Sequence, residues 1–154
     1  MKFTNRHKNV ELIIAEELLV GLERYGLAQY PNEFGGFLLG YYSEDFTQLY
    51  VIDAILPKKY KGIPSLFERS IEGMEEIFRD LFERKKLQYV GEWHSHIDGT
   101  SMYSQTDLQA MTEIANHDTV YIENPILLIM SIGEKGRKDF SIYLYDNSNL
   151  YKYE

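Results

Sequence analysis

The sequence predicts a mixed α/β domain, in which helices flank a sheet of both parallel and antiparallel strands. Segments with helical periodicity alternate with β-branched or aromatic runs, in the order α-ββ-α-β-α-ββ. The chain has 154 residues, so we expect residues 1–154 to form a single domain. Hydrophobic residues make up 44% of the chain, which is enough to build a core.

Three segments have the apolar spacing of amphipathic helices. Residues 10–25 carry leucines and isoleucines interrupted by acids at helical spacing. Residues 70–87 carry a stripe of methionine, isoleucine and phenylalanine that we expect to pack in the core. Residues 104–116 follow a polar loop and form the third predicted helix.

Short runs rich in β-branched and aromatic residues predict five strands. The predicted strands are residues 37–42, 48–56, 88–93, 125–132 and 139–145. The first two are expected to form a hairpin, and the last two flank a turn. The polar residues 58–64 contain Gly and Pro and predict a loop.

Charge and cysteine content narrow the classes of function. The net charge is −8 and the isoelectric point is near 5, which argues against binding nucleic acid. The absence of cysteine excludes a disulfide scaffold and a thiolate metal site. No apolar run approaches the roughly 20 residues of a membrane span, so no membrane partner is expected. The first residues lack a signal-peptide pattern, so we expect a cytoplasmic protein.

The pattern most indicative of chemistry is His94-Ser95-His96, directly after a predicted strand. Residues i and i+2 of a strand point to the same face, so the two imidazoles could bind one metal ion. A catalytic zinc site needs a third protein ligand and an open fourth position. Asp107 is the candidate, because the loop before its helix can fold it back onto the strand end. Alternatively, the histidines are ordinary half-buried strand residues.

Residues 104–107, Ser-Gln-Thr-Asp, also match a helix capping box, which needs no metal. Hydrolysis would further require a general base and a donor to the oxyanion. Glu33 and Ser104 suit these roles, but spacing alone does not distinguish Glu33 from other acids, and it could be a solvated loop residue. We expect Glu92 to be solvated and Trp93 to lie in the core or in the wall of the site.

The string from His94 to Asp107 resembles the H-x-H-x7-S-x2-D signature of the JAMM (MPN, JAB) zinc metalloproteases. Residues 31–40, Pro-Asn-Glu-Phe-Gly-Gly-Phe-Leu-Leu-Gly, resemble the E-x-x-G-x-L-L-G segment of that family. The resemblance implies the JAMM/MPN architecture, which is cytidine-deaminase-like. It also implies zinc bound by His94, His96 and Asp107, water activated by Glu33, and an oxyanion stabilised by Ser104.

This family is known for isopeptidases that remove ubiquitin or ubiquitin-like proteins from lysines. The compact length and the stretch at residues 91–99 are most similar to bacterial JAB proteins. These include deconjugases of antiviral CBASS operons and of bacterial ubiquitin-like (Bil) operons. The implied partners are a ubiquitin-like protein or its conjugates, with E1- and E2-like enzymes of the same operon. Residues 58–69 lie where the family carries an insertion that grips the substrate.

One position departs from the family pattern. A Pro usually follows the second histidine, and here Ile97 takes its place. Because Pro would stiffen the exit from the strand, the loop up to Tyr103 is expected to be more mobile. Two alternatives remain: a non-catalytic MPN-type scaffold, and a JAMM hydrolase acting on sulfur-carrier proteins or small amides.

Overall fold

A computed structural model describes residues 1–117 and 122–154. Within these ranges the chain forms three helices, α1 (Glu16–Gln29), α2 (Glu75–Lys85) and α3 (Gln105–Ala115). The strands are β1 (Lys2–Asn5), β2 (Val10–Ile14), β3 (Gly35–Tyr42), β4 (Gln48–Ile55), β5 (Tyr60–Ile63), β6 (Leu66–Arg69), β7 (Gln88–Ile97), β8 (Ile126–Gly133), β9 (Gly136–Asp146) and β10 (Asn149–Lys152).

Eight strands form one sheet in the order β1-β2-β4-β3-β7-β8-β9-β10, and β5 and β6 form a separate hairpin. Two neighbouring pairs, β2 with β4 and β7 with β8, are parallel, and the others are antiparallel. The predicted mixed α/β fold class is confirmed. No helix in the described ranges is long and apolar enough to cross a membrane.

Apolar residues on the two faces of the sheet pack against α1 on one side and against α3 on the other. Strand β8 is buried along its whole length, because its side chains alternate between these two layers. Leu128 and its alternate neighbours pack with Leu19 and Leu22 of α1. Leu127 and Ile129 pack with Met111 of α3. This arrangement explains why β8 is a continuous apolar run.

Strand β1, at one edge of the sheet, is hydrogen-bonded to residues in and after β10, the strand at the opposite edge. The Thr4 backbone N–H donates to the Glu154 carbonyl at 2.7 Å, and Glu154 N–H donates back to the Thr4 carbonyl at 2.9 Å. The Asn5 side chain also donates to the Tyr151 carbonyl. These bonds satisfy backbone groups of β1 that a sheet edge would leave open.

The predicted helix over residues 10–25 is wrong for its first five residues, which form β2. Their burial alternates strictly, with Val10, Leu12 and Ile14 inside, and the strand runs parallel to β4. Pairing with β4 outweighs the helical spacing of the apolar residues in this segment. The helix itself begins at Glu16 and continues to Gln29.

The segment predicted as a loop at residues 58–64 contains β5, which pairs with β6 in a hairpin. The structure also contains β1 and β10, which the sequence analysis did not predict; both have only four residues. The five predicted strands are all present. The third predicted helix is also confirmed, with Ser104 as its N-cap.

Helix α2 is shorter than predicted and lies nearer the surface. It begins at Glu75 rather than at residue 70, and none of its residues is buried. Phe78 contacts the rings of Phe37 and Tyr89, but Phe82 is 51% exposed. The expectation that the whole apolar stripe packs in the core is therefore wrong. The helix contacts the sheet mainly at β7, and residues such as Phe82 remain exposed.

Candidate metal centre

The two histidines lie at the end of β7 on the face of the sheet that carries α3. In the parallel ladder, His94 lies opposite Ile129 and His96 opposite Ser131. Both side chains are half-buried, and their Nε2 atoms are 3.2 Å apart. Strand periodicity thus brings the two imidazoles together, as the spacing predicted.

Asp107 lies in the first turn of α3 and reaches both imidazoles. Its Oδ1 is 3.1 Å from His94 Nε2, and its Oδ2 is 3.1 Å from His96 Nε2. The same carboxylate accepts a hydrogen bond from the Ser104 N–H at 2.8 Å, and the Ser104 hydroxyl accepts one from the Asp107 N–H at 3.1 Å. The capping box is therefore real, and it also fixes the carboxylate against the histidines.

Glu33 lies two residues before the start of β3, beside the end of β7. Because β3 runs antiparallel to β7, Gly35 lies opposite His94, and Glu33 lies next to both imidazoles. One carboxylate oxygen of Glu33 and one ring nitrogen of each histidine lie within 4.8 Å of one another. A Cβ on Gly35 would lie 2.1 Å from the Trp93 carbonyl oxygen, so glycine is required for this close approach of the strands.

A buried serine joins the Glu33 segment to the histidine strand. Ser95 is fully buried between the two histidines in sequence, on the opposite face of β7. Its hydroxyl accepts a hydrogen bond from the Phe34 N–H at 2.9 Å, and its N–H donates to the Phe34 carbonyl at 2.8 Å. These bonds fix the backbone that carries Glu33 relative to His94 and His96.

Ser104 lies at the start of α3 and lines the cleft beside the histidines. Its hydroxyl oxygen accepts the capping hydrogen bond, which leaves the O–H proton available to donate into the cleft. The structure thus allows Ser104 to act as a helix cap and as a donor to a substrate.

Burial and the neighbouring charges shift the pKa values of Glu33 and Asp107 in opposite directions. Burial raises the pKa of Glu33, although His94 and His96 partly oppose this shift. Burial would also raise the pKa of Asp107, but its hydrogen bonds to the two histidines hold that pKa well below its usual range. Glu33 therefore has the environment of a proton acceptor, and Asp107 that of a permanent anion.

The donor set, two imidazoles and one carboxylate, has the ligand types that zinc accepts. Ligand atoms at 2.0–2.2 Å from one tetrahedral zinc ion are about 3.3–3.6 Å apart. The two Nε2 atoms are 3.2 Å apart, and each lies 3.1 Å from a different oxygen of the Asp107 carboxylate, so the three side chains already surround one point. His96 Nδ1 lies 3.0 Å from the Thr100 carbonyl, which favours a proton on Nδ1 and leaves Nε2 free to bind a metal. The residues present therefore fit zinc.

Glu92 differs from its sequence-based expectation. It is only 6% exposed, and its carboxylate accepts hydrogen bonds from Arg69 Nε at 2.7 Å, Arg69 Nη2 at 3.1 Å and the Tyr89 hydroxyl at 2.5 Å. The prediction of a solvated Glu92 is therefore wrong, because the partner arrives from β6, which is distant in sequence. Trp93 is 1% exposed and lines the cleft, as predicted for a residue of the core or site wall.

The site opens into a cleft of about 950 Å³. One wall is residues 64–69 at the turn and second strand of the β5–β6 hairpin, and the opposite wall is one side of α3. The candidate ligands His94, His96 and Asp107 also line the cleft, together with Glu33 and Ser104. A cleft of this volume lies within the usual range of ligand-binding pockets.

Comparison with known proteins gives a family match over most of the chain. The model described as prokaryotic homologs of the JAB domain matches residues 16–143. A curated relative from Enterobacter hormaechei subsp. hoffmannii, named CD-NTase/cGAS isopeptidase, is 30% identical over 122 residues. That match covers 79% of this chain but only 62% of the relative, so the chain spans less than two thirds of the relative's length.

Two solution structures share the fold. A protein from Desulfitobacterium hafniense matches with a TM-score of 0.63 and 16% identity, over 92% of this chain and 88% of its own. A protein from Salinibacter ruber matches with a TM-score of 0.58 and 18% identity, over 91% of this chain and 86% of its own. These likenesses concern the fold alone. Because the family model extends from α1 into β9, the chain belongs to the family of prokaryotic homologs of the JAB domain.

Proposed function

We propose that the protein is a zinc-dependent isopeptidase or peptidase that cleaves after the C-terminal residue of a ubiquitin-like protein. It would remove that protein from conjugates or process its precursor, in bacterial antiviral defence. The observation that carries the proposal is the contact of the Asp107 carboxylate with both His94 and His96, beside a buried Glu33. The name of the Enterobacter relative supports an isopeptidase and makes a CD-NTase conjugate the first substrate to test.

In the proposed reaction, Glu33 moves the protons. Zinc held by His94, His96 and Asp107 would lower the pKa of water to near 7. Glu33 takes a proton from the attacking water as the new carbon–oxygen bond forms. When the carbon–nitrogen bond breaks, Glu33 gives that proton to the leaving lysine amine, so the products are a carboxylic acid and an amine. Transfer of the second water proton from the acid to the amine gives a carboxylate and an ammonium group. Burial raises the pKa of Glu33, which favours a carboxylate that can hold this proton between the two steps.

Two other groups serve this reaction. Ser104 lines the cleft, and its O–H would donate to the oxyanion that develops on the carbonyl oxygen. The Thr100 carbonyl accepts from His96 Nδ1 and orients that ring. Both roles depend on backbone held by the capping box and by the loop after β7.

The substrate tail would bind as an extended strand beside β6. Among the described residues, β6 pairs in the ladder only with β5, and all four of its residues line the cleft. The hairpin is held at one end by Arg69, which binds Glu92, and at the other by the Ile63 carbonyl, which accepts from the Glu33 N–H at 3.0 Å. A strand added to β6 would receive main-chain hydrogen bonds next to the general base.

Replacing Leu66 with Ser is expected to raise KM for a tail-bearing conjugate about tenfold, because Leu66 lines the cleft and its burial against substrate would be lost. Its cross-strand partner Ile63 is 40% exposed and lies outside the cleft wall, so Ile63→Ser provides the matched control. Steady-state kinetics on one conjugate compare the two variants. Equal KM values for both would refute a binding role for this wall of the cleft.

The activity itself is tested with a panel of ubiquitin-like fusions, lysine conjugates, a sulfur-carrier fusion and small amides. We expect cleavage directly after the ubiquitin-like C-terminus, complete loss with a zinc chelator, and recovery on adding zinc. Cleavage of the sulfur-carrier fusion or of small amides alone would favour the alternative hydrolase. A zinc-loaded chain inactive on every substrate would favour a scaffold.

A further inference from the structure

The loop between β7 and α3 is held in place by buried side chains from β8 and β9. Ile97 replaces the stiffening Pro of the family signature, so mobility was expected here. In the structure, the Asp98 N–H donates to the Ile132 carbonyl at 2.9 Å, and the Ser131 hydroxyl donates to the Gly99 carbonyl at 2.6 Å. Hydrogen bonds to the strands therefore supply the order that a proline ring would otherwise provide.

The other end of the loop is anchored by residues of β9. The Tyr143 hydroxyl donates to the Ser101 carbonyl at 2.9 Å, and Tyr143 is only 4% exposed. The Ser101 hydroxyl lies 2.7 Å from the Ser141 hydroxyl and donates to Asp139 at 3.1 Å. Ser101 is itself 4% exposed, so these contacts form a buried polar network in which each hydroxyl has a partner.

Thr100 lies between these two anchors and contacts the metal centre. Its neighbour Gly99 is held by Ser131 and its neighbour Ser101 by Tyr143. The Thr100 carbonyl thus has a fixed position, 3.0 Å from His96 Nδ1. A hydrogen bond to the far ring nitrogen of a metal-binding histidine fixes both the ring orientation and the proton position.

We propose that Tyr143 and Ser131 are positioning residues of the metal centre, which act on His96 through the Thr100 carbonyl. The inference rests on the proposed zinc site and concerns how this chain keeps the site ordered. Neither side chain is within the metal-binding set. Each hydroxyl fixes one peptide group next to Thr100, so that the His96 ring is already oriented in the metal-free chain.

The test compares Tyr143→Phe and Ser131→Ala with Tyr153→Phe. Tyr153 is a buried tyrosine whose hydroxyl has no hydrogen-bond partner in the described part of the chain, so its variant loses the same atom without loosening the loop. Zinc affinity is measured by competition with a chromophoric chelator in the absence of substrate. We expect Tyr143→Phe and Ser131→Ala to weaken zinc binding about tenfold or more and Tyr153→Phe to leave it unchanged.

A second readout follows the His96 ring directly. In the zinc-loaded chain, the His96 Nδ1–H proton is expected to exchange with water several-fold faster in Tyr143→Phe than in the Tyr153→Phe control, as measured by NMR. A purely structural role for Tyr143 would lower the melting temperature of the metal-free chain without changing zinc affinity or ring exchange. That result would overturn the proposal, as would unchanged affinity in folded Ser131→Ala.

The same experiment separates this inference from the proposed function. If the unaltered chain binds zinc tightly and the two loop variants bind it equally well, the positioning role fails and the zinc hydrolase stands. If the unaltered chain binds no zinc, both are overturned. Failure to cleave any ubiquitin-like conjugate, with the affinity changes as expected, would overturn only the proposed function.

Discussion

Replacing Glu33 with Gln is expected to lower kcat by about 10²–10⁴-fold, because the amide cannot accept the proton of the attacking water. Zinc content should stay at one ion per chain, since the proposed metal ligands are His94, His96 and Asp107. Thermal stability should be retained, because glutamine has the shape of glutamate and removes a carboxylate whose pKa is already raised by burial. The measurements are conjugate cleavage, metal analysis and thermal unfolding on the same preparation.

Glu113→Gln is the matched control, since Glu113 is an exposed glutamate in the α3 wall of the same cleft. Its kcat is expected to stay within about twofold of the unaltered chain, as for most surface substitutions. Turnover retained in Glu33→Gln would remove Glu33 from the mechanism. Loss of zinc from Glu33→Gln would instead make Glu33 a ligand.

Replacing Asp107 with Asn separates the two roles of this residue. Asparagine at this position can still accept the Ser104 N–H, so the helix cap is kept. It lacks the negative charge that faces the two histidines, so we expect zinc affinity to fall at least about 100-fold and activity to disappear. The free energy of unfolding of the metal-free chain should change by less than about 1 kcal/mol.

For Ser104→Ala we expect the opposite pattern: the free energy of unfolding falls, and zinc binding is retained. It removes the hydroxyl that accepts from the Asp107 N–H, which should cost about 1 kcal/mol of stability. The Ser104→Ala variant keeps the Asp107 carboxylate and both histidines, so zinc should still bind. If Asp107→Asn bound zinc as tightly as the unaltered chain and only lost stability, the carboxylate would be a cap and nothing more.

The residues predicted from local spacing are those whose geometry is local. His94 and His96 lie on one face because a strand alternates, and residues 104–107 form a capping box because their spacing fits one. The strands and the third helix follow from equally short-range patterns. These features therefore need no knowledge of how the sheet is assembled.

Features that depend on pairing between distant segments could not be predicted in this way. Glu33 lies beside His94 only because β3 is antiparallel to β7 and begins where β7 ends, so family resemblance alone singled it out. Glu92 is buried because Arg69 reaches it from β6, a strand that the sequence analysis did not predict. Residues 10–14 form a strand because β4 lies next to them.

The central claim is that Asp107, rather than Glu33, completes the metal site with the two histidines. Glu33 also lies within 4.8 Å of both rings, so the two carboxylates compete for this role. The most direct test is a crystal structure of the zinc-loaded protein, with the ion located by anomalous scattering at the zinc edge. The account predicts zinc about 2.0–2.2 Å from His94 Nε2, His96 Nε2 and an Asp107 oxygen, with Glu33 unbound. Zinc bound by Glu33 with Asp107 left to its helix cap would contradict it.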